Sequence, residues 1–263
     1  MNQATAINTE VNAVDLELKV KEMYRDVAED PNGDFHFEMG RVMAERLGYP
    51  ATELDDIPAE AIASFAGVGY YFDLAKLKPG ERVIDLGSGS GMDTFFAALQ
   101  VGQDGNVVGI DMTDAQLNKS SQLRDRTGFV NVTYQKAYIQ SVPEKDESFD
   151  AVISNGVVNL APDKSKVFKE AARLLKPGGR LALADIVTER QLPGDITCDA
   201  TLWAACIGGA LQQDDYIAAI EAAGLVIEHV QDNPEYHFIS ESAEWATRTF
   251  GVKSVSILAR KPA

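Results

Sequence analysis

Cysteine is scarce in this 263-residue sequence, which contains only Cys198 and Cys206. Two cysteines cannot build the dense disulfide framework of a small secreted protein. We therefore expect two reduced thiols, and we predict no metal site.

Basic residues are also few in comparison with acidic ones. The chain has 24 Lys and Arg residues against 40 Asp and Glu residues, a formal net charge of −16 at pH 7. This charge argues against nucleic-acid backbones and anionic membrane surfaces as partners, so we predict a small-molecule partner. Residues 1–14 lack the basic start and apolar core of a signal peptide, and no apolar run approaches a membrane span. We expect a cytoplasmic protein.

No strand pattern precedes Val83, and there is no internal repeat or flexible linker. Residues 11–28 have the spacing of an amphipathic helix, and shorter helices are predicted at about 38–47 and 58–65. The apolar residues predicted near one face of the first helix are Val14, Leu18, Met23 and Val27. We predict a helical cap over residues 1–75 and an α/β domain over 76–263.

The apolar run that starts at Val83 ends in Asp85 and three alternating glycines, Gly87, Gly89 and Gly91. Glycines let a strand turn sharply into a helix and leave room for a ligand against main-chain N–H groups. A dinucleotide-binding turn has the spacing Gly-x-Gly-x-x-Gly, which differs from the pattern here. Asp85 would repel a pyrophosphate but can orient an amino group, as on the methionyl part of S-adenosylmethionine.

A second apolar strand, residues 106–110, ends in Asp111. Asp111 follows Gly91 by twenty residues, the distance at which a strand-end carboxylate can accept both ribose hydroxyls of a nucleoside. Thr113 and Gln116 are predicted to cap the next helix as a capping box. The glycine turn and Asp111 together predict a nucleoside pocket.

Alternating strands and helices continue to the end of the sequence. The further strands are predicted at residues 130–135, 149–155, 180–185, 225–230 and 253–260, and the further helices at 113–128, 163–175, 199–210 and 214–223. This order predicts a doubly wound seven-stranded sheet with one antiparallel strand near its edge. Ligands of such sheets bind at the carboxyl ends of the strands, where residues 85–91, Asp111, 137–139 and 154–156 would meet.

The motifs Asp85–Gly91, Asp111 and Lys176-Pro177-Gly178-Gly179 resemble those of the class I S-adenosylmethionine-dependent methyltransferases, over about residues 80–190. Most of the chain is similar to the arsenite methyltransferases. That narrower resemblance includes Leu77–Glu81, Gly109–Thr113, Ile153-Ser154-Asn155 and Cys206–Leu211. It implies a Rossmann-like methyltransferase fold with S-adenosylmethionine as the cofactor.

The resemblance also implies roles for single residues. Gly87, Gly89 and Gly91 would approach the methionyl part, Asp111 and Met112 would hold the ribose and adenine, Ile139 would lie against adenine, and Tyr24 would cover the sulfonium. Asp85, Ser88 and Asn155 complete the predicted cofactor site. Core packing is the alternative for Tyr24, Met112 and Ile139.

The sequence departs from the arsenite family at its cysteines. Arsenite binds thiolates, but the family's other cysteine positions correspond here to residues 35–38, residues 67–71 and Gly156, and only Cys206 stays in register. If Cys198 lay on the same helix, it would be roughly 12 Å away, too far to share one arsenic. Cys206 is alternatively a small buried hydrophobe.

Candidate acceptor-side residues lie in the cap or on the strand rim. They are His36, Glu38, Tyr70, Tyr71 and Asn155. His36 and Glu38 could act as a base, and the tyrosines could surround a cation or stack on a ring. Alternatively, His36 is solvated and the two tyrosines pack the cap onto the sheet.

These observations predict a methyltransferase that acts on a small non-arsenical acceptor such as an amine, phenol or thiol. Two alternatives are an arsenite methyltransferase that uses Cys206 and an inactive module that only binds the cofactor. A nicotinamide-linked oxidoreductase is a further alternative, against which the glycine spacing argues.

Overall fold

The structure is a computed structural model that describes residues 13–193 and 207–263. Its centre is a seven-stranded sheet with the strand order β3-β2-β1-β4-β5-β7-β6. The strands are β1 (Arg82–Leu86), β2 (Asn106–Asp111), β3 (Val132–Lys136), β4 (Phe149–Asn155), β5 (Leu175–Val187), β6 (Val226–Asp232) and β7 (Lys253–Arg260). The predicted seven strands are confirmed.

Ten α-helices and one short 3₁₀ helix, Val158–Leu160, are present in the described residues. Five precede the sheet: α1 (Ala13–Glu29), α2 (Arg41–Leu47), α3 (Ala51–Leu54), α4 (Ala59–Ala63) and α5 (Phe72–Ala75). Five follow β1: α6 (Met92–Val101), α7 (Asp114–Thr127), α8 (Lys164–Leu174), α9 (Gln213–Ala222) and α10 (Glu241–Phe250). The predicted helix 199–210 falls largely outside the described residues. No helix in the described ranges has the length and apolar content that a bilayer crossing requires.

The first five strands along the sheet order are parallel, and their registers bring their carboxyl ends to one rim. Asp85 of β1 lies opposite Gly109 of β2 on one side and Ile153 of β4 on the other. The strand interiors are apolar, with Val83 and Ile84 fully buried, because helices cover both faces of a parallel sheet. The residues that follow each of these parallel strands in the sequence therefore meet at this rim.

The predicted antiparallel strand is β7, which runs antiparallel to both β5 and β6. β5 begins at Leu175, five residues before the predicted start. Leu175 pairs with Phe149 and Arg180 pairs with Ala151, so the intervening residues 176–179 leave the ladder as an irregularity. The Pro-Gly-Gly sequence explains that departure, since Pro177 lacks an N–H for the ladder and Gly178 has a φ of 77°.

The buried face of α1 differs from the predicted one. Leu16, Val20 and Val27 are buried, whereas Val14 and Leu18 are 74% and 55% exposed. Both sets fit helical spacing, and the sequence pattern alone does not say which set packs against the rest of the protein. The predicted placement of Val14 and Leu18 on the buried face is wrong.

Asp185, near the end of β5, is a fully buried carboxylate. It accepts hydrogen bonds from the backbone N–H groups of Ile186 and Asn159, at 2.8 and 3.1 Å, and from the Tyr216 hydroxyl at 2.9 Å. Burial raises the pKa of Asp185 to about 6, because the ionised form loses its hydration.

We expect the stability of the wild type, relative to Asp185→Asn, to fall as pH rises. An acid whose pKa is higher in the folded state favours folding while it is protonated, and this contribution is lost between the unfolded value of 3.8 and about 6. Urea unfolding of both proteins at pH 5 and pH 8 should change the difference in free energy of unfolding by roughly 1 to 2 kcal/mol. A difference that does not vary with pH would contradict the raised pKa.

Candidate active site

A cavity opens at the carboxyl ends of the parallel strands, beneath α1. One wall is the glycine turn after β1, and others are the end of β2, residues 137–140 and residues 155–162. Residues 61 and 64–67 close the cap side, and α1 covers the cavity with Leu16, Glu17, Val20 and Tyr24. The topology therefore creates a binding site where the sequence predicted one.

The three glycines of the turn have φ angles of 81°, 52° and 97°, a backbone region that favours glycine. A Cβ on Gly87 would lie 2.4 Å from Val157, and one on Gly91 would lie 2.2 Å from the Tyr134 hydroxyl. A Cβ on Gly89 would instead meet Gln116, at 3.7 Å. Gly87 and Gly91 thus allow close packing within the protein, whereas Gly89 leaves room beside the cavity.

Asp111 organises the end of β2. Its Oδ2 accepts the Gly89 N–H at 3.0 Å, and its Oδ1 accepts the Thr113 N–H at 2.8 Å. A carboxylate has about four acceptor positions, so each oxygen keeps a lone pair for a ligand. Loss of hydration in the cavity wall raises the pKa of Asp111, while these two N–H groups oppose the rise.

Asp85 lies deeper in the same wall and is 2% exposed. Its Oδ2 accepts a hydrogen bond from Thr94 Oγ1 at 2.6 Å. Burial raises the pKa of Asp85 well above its ordinary value, and the nearby carboxylate of Asp93 raises it further.

A third carboxylate, Asp93, was not predicted as a site residue. Its oxygens accept hydrogen bonds from the hydroxyls of Tyr49 and Tyr71, at 2.6 and 2.9 Å, and from the Asn155 amide at 3.0 Å. Burial raises the pKa of Asp93, against the effect of these donors. The only local sequence signal is an acid in the first turn of α6, which is ordinary at a helix N-terminus.

Asn155 connects this carboxylate to the segment before β1. Its Oδ1 accepts the Val68 N–H at 2.7 Å, and its Nδ2 also donates to the Gly69 carbonyl at 3.0 Å. Because β4 carries Asn155, these bonds fix the cap segment to the rim of the sheet.

Gln116 is a second residue whose role in the structure differs from the prediction. The predicted capping box is wrong, because the Thr113 side chain makes no capping hydrogen bond. Gln116 Oε1 accepts from Ser90 Oγ at 2.6 Å, and Gln116 Nε2 donates to the Tyr24 carbonyl of α1 at 2.7 Å. The Gln116 side chain thus links the glycine turn to α1 by hydrogen bonds and does not cap α7.

The structure brings most of the predicted cofactor residues together. Those that line the cavity are Tyr24, Asp85, Gly87, Ser88, Gly89, Asp111, Met112, Ile139 and Asn155, while Gly91 lies behind the turn against Tyr134. The Ser88 hydroxyl is buried in this wall and has no hydrogen-bond partner among the described residues. Their contacts with a cofactor remain predictions.

Four of the five predicted acceptor-side residues lie away from the cavity wall. His36 is exposed on a loop, and Glu38 pairs with Arg46. Tyr70 packs edge to face on Tyr49, with ring centroids 4.9 Å apart, and burial raises its pKa to about 12. Tyr71 is fully buried. The structure does not bring these four side chains to the cavity wall with Asn155, and their roles remain predictions.

The cavity has an unusual balance of charge. Glu17, Asp85, Asp93 and Asp111 line it, and no Lys, Arg or His does so among the residues that the structure describes. Residues 1–12 and 194–206 contain no basic side chain at all, so they cannot supply one. A phosphate group would find no cationic partner here, which disfavours a nicotinamide dinucleotide.

A family described as "Methyltransferase domain" matches residues 77–224. The chain belongs to this methyltransferase family. It is 40% identical to the arsenite methyltransferase of Halobacterium salinarum over 224 residues, which are 84% of this chain and 56% of that protein. It is 44% identical to the human arsenite methyltransferase over 138 residues, which are 49% of this chain and 37% of that protein. The chain spans about half the length of the curated relatives it matches.

Solved structures give the same fold. An arsenic(III) S-adenosylmethionine methyltransferase from Chlamydomonas reinhardtii superposes with a TM-score of 0.64 at 30% identity, covering 86% of this chain and 75% of the other. A geranyl diphosphate C-methyltransferase from Streptomyces coelicolor has a TM-score of 0.69 at 18% identity, covering 94% and 98%, and shows the fold alone. The predicted Rossmann-like fold and the predicted membership of a methyltransferase family are confirmed.

We expect Gly89→Ala to weaken binding of S-adenosylhomocysteine about tenfold or more, because a Cβ would reduce the room beside Asp111. Gly128→Ala is the matched control, since Gly128 also has a left-handed backbone, with a φ of 78° and no atom within 4 Å of its Cβ position. Both changes should cost about 1 kcal/mol of stability. Isothermal titration should show weaker binding for Gly89→Ala alone, and equal affinities in the two variants would contradict this assignment.

We expect Tyr71→Phe to lower the free energy of unfolding by about 1 to 3 kcal/mol, because buried Asp93 loses one of its donors. The affinity for S-adenosylhomocysteine should stay within about twofold, since Tyr71 does not line the cavity. Urea unfolding and titration measure the two effects, with Tyr70→Phe as the adjacent control. Unchanged stability with a large loss of turnover would instead support the catalytic prediction for Tyr71.

Proposed function

We propose that this protein binds S-adenosylmethionine in the cavity under α1 and methylates a small acceptor that carries no phosphate and is not arsenite. The observation that carries the proposal is the cavity wall, where Asp85, Asp93 and Asp111 have no basic side chain beside them among the described residues, while Glu17 is paired with Lys21. S-adenosylmethionine has a net positive charge, from a sulfonium and an ammonium against one carboxylate. Such a ligand is attracted by an acidic site of low dielectric.

Three features of this chain fit that cofactor. Gly89 leaves open space beside the cavity, and the Ser88 hydroxyl in the same wall is buried without a hydrogen-bond partner among the described residues. Asp111 holds the turn through the Gly89 N–H and keeps lone pairs for ribose hydroxyls. We assign the nucleoside to Asp111, Met112 and Ile139, and the methionyl part to Asp85 and residues 87–89.

When bound, the cofactor supplies an electrophilic methyl carbon and leaves as a neutral thioether. The chain must align the acceptor and exclude water. Leu16, Val20 and Tyr24 of α1 cover the cavity with largely apolar surface and serve the second purpose. Asp93 lines the cavity beside Asn155, and its raised pKa suits it to accept a proton from an amine or phenol.

The case against arsenite rests on its need for thiolates. The whole sequence has only two cysteines, Cys198 and Cys206, and of these only Cys206 is in register with the cysteines of the arsenite family. Arsenite methylation is nevertheless the second candidate function, because 40% identity to an arsenite methyltransferase covers most of this chain. An inactive cofactor-binding module is the third, and turnover distinguishes it from both enzymes.

The test begins with titration of S-adenosylmethionine and S-adenosylhomocysteine into the full chain. Transfer from methyl-labelled S-adenosylmethionine is then measured for amines, phenols and thiols, for a phosphorylated analogue of each active acceptor, and for arsenite with glutathione. We expect transfer to at least one unphosphorylated organic acceptor, with a loss of at least about tenfold in kcat/KM for its phosphorylated analogue.

Cys198→Ser and Cys206→Ser are the discriminating variants. Under our proposal both keep the activity on the organic acceptor. Arsenite methylation that is faster than every organic reaction and is lost in either variant would establish the second candidate. Cofactor binding without transfer to any acceptor would support the inactive module, and absence of cofactor binding would overturn the proposal entirely.

A further inference from the structure

The last turn of α1 is held by side chains from other helices and loops. The final carbonyls of a helix lack partners within it and need donors from elsewhere. Lys119 of α7 donates to the Ala28 carbonyl at 2.8 Å, and Ser64 donates to the Val27 carbonyl at 2.9 Å. One turn earlier, Gln116 of α7 donates to the Tyr24 carbonyl. Residues 24–28 are therefore the anchored end of α1.

The cavity side of α1 is attached differently. Leu16 and Val20 form a small apolar cluster of their own with partly buried side chains, among them Met112 and Leu160 from the opposite cavity walls. Near the start of the helix, Glu17 accepts a hydrogen bond from the Tyr138 hydroxyl at 2.7 Å. These contacts cross the cavity, so a ligand that fills the cavity lies directly against them.

Gln116 is the anchor that also contacts the glycine turn. Its Oε1 accepts from Ser90 Oγ, next to Gly89, and the residue is only 1% exposed although it lines the cavity. Lys119, three residues further along α7, holds α1 to Ser64 and not to the turn. Gln116 therefore joins the glycine turn to α1 through hydrogen bonds at both ends of its side-chain amide.

We propose that Gln116 is a positioning residue that couples the glycine turn to α1, so that occupancy of the cofactor site stabilises the closed position of α1. This inference rests on the proposed cofactor site. The carbonyl oxygen and the NH2 group of the buried Gln116 side chain both need hydrogen-bond partners, because leaving either one unpaired in the interior lowers the stability of the fold. A turn ordered by a ligand keeps Ser90 in place, Ser90 keeps Gln116 in place, and Gln116 keeps the Tyr24 carbonyl in place.

The test is amide hydrogen exchange of residues 13–29 in the full chain, with and without saturating S-adenosylhomocysteine. In the wild type we expect the ligand to slow exchange about tenfold. Ser90→Ala and Gln116→Met each break the connection, and both should reduce this slowing to less than about threefold at ligand concentrations that titration shows to saturate each variant. Ser90→Ala leaves every direct contact of α1 intact, so a loss of coupling there is not a simple loss of packing.

Lys119→Met is the matched control. It removes a donor to α1 without touching the turn, so exchange should rise in both states while the ratio between them stays as in the wild type. Ser90→Ala and Gln116→Met proteins that keep the wild-type ratio at saturation would overturn the coupling and leave the proposed function untouched. Failure of the wild type to bind S-adenosylhomocysteine in a titration would overturn both proposals.

Discussion

Asp85, Asp93 and Asp111 line one cavity with no basic side chain beside them among the described residues, and this is the constraint on which the rest of the structure depends. A buried charge is costly unless it is hydrogen-bonded or paired. Here the donors are neutral: Thr94 for Asp85, two tyrosines and an amide for Asp93, and two backbone N–H groups for Asp111. Since both tyrosines precede β1, the residues before the sheet are part of the cavity's electrostatics.

Sequence patterns predicted the parts of the fold that depend on local periodicity. Strands β1 and β2 each contain an apolar run, and the glycine turn 87–91 follows β1 directly, so the rim could be placed before any contact was known. Asp111 was predicted for the same reason, because strand ends in a parallel sheet meet at one edge. The buried face of α1 could not be predicted, since Val14 and Leu18 fit a helical stripe as well as Leu16 and Val20 do.

The interactions that sequence reasoning missed join residues far apart in the chain. Asp93 accepts from Tyr49 across 44 positions and from Asn155 across 62, and Gln116 reaches Tyr24 across 92. No local sequence pattern identifies the residues at either end of such a long-range hydrogen bond. Asn155 and Tyr71 were noticed as polar residues at or near the rim, yet their hydrogen bonds hold the chain segments together. A functional residue and a structural one look alike in sequence when both are polar and both lie at a strand end.

The position of β7 bears on how the protein is made. This strand, residues 253–260, lies between β5 and β6, so β5 has no partner on that side until residues 253–260 have been synthesised. An apolar strand with an open edge invites pairing with other chains. Aggregation during synthesis is thus the hazard of this topology, and a chaperone that shields β5 would relieve it.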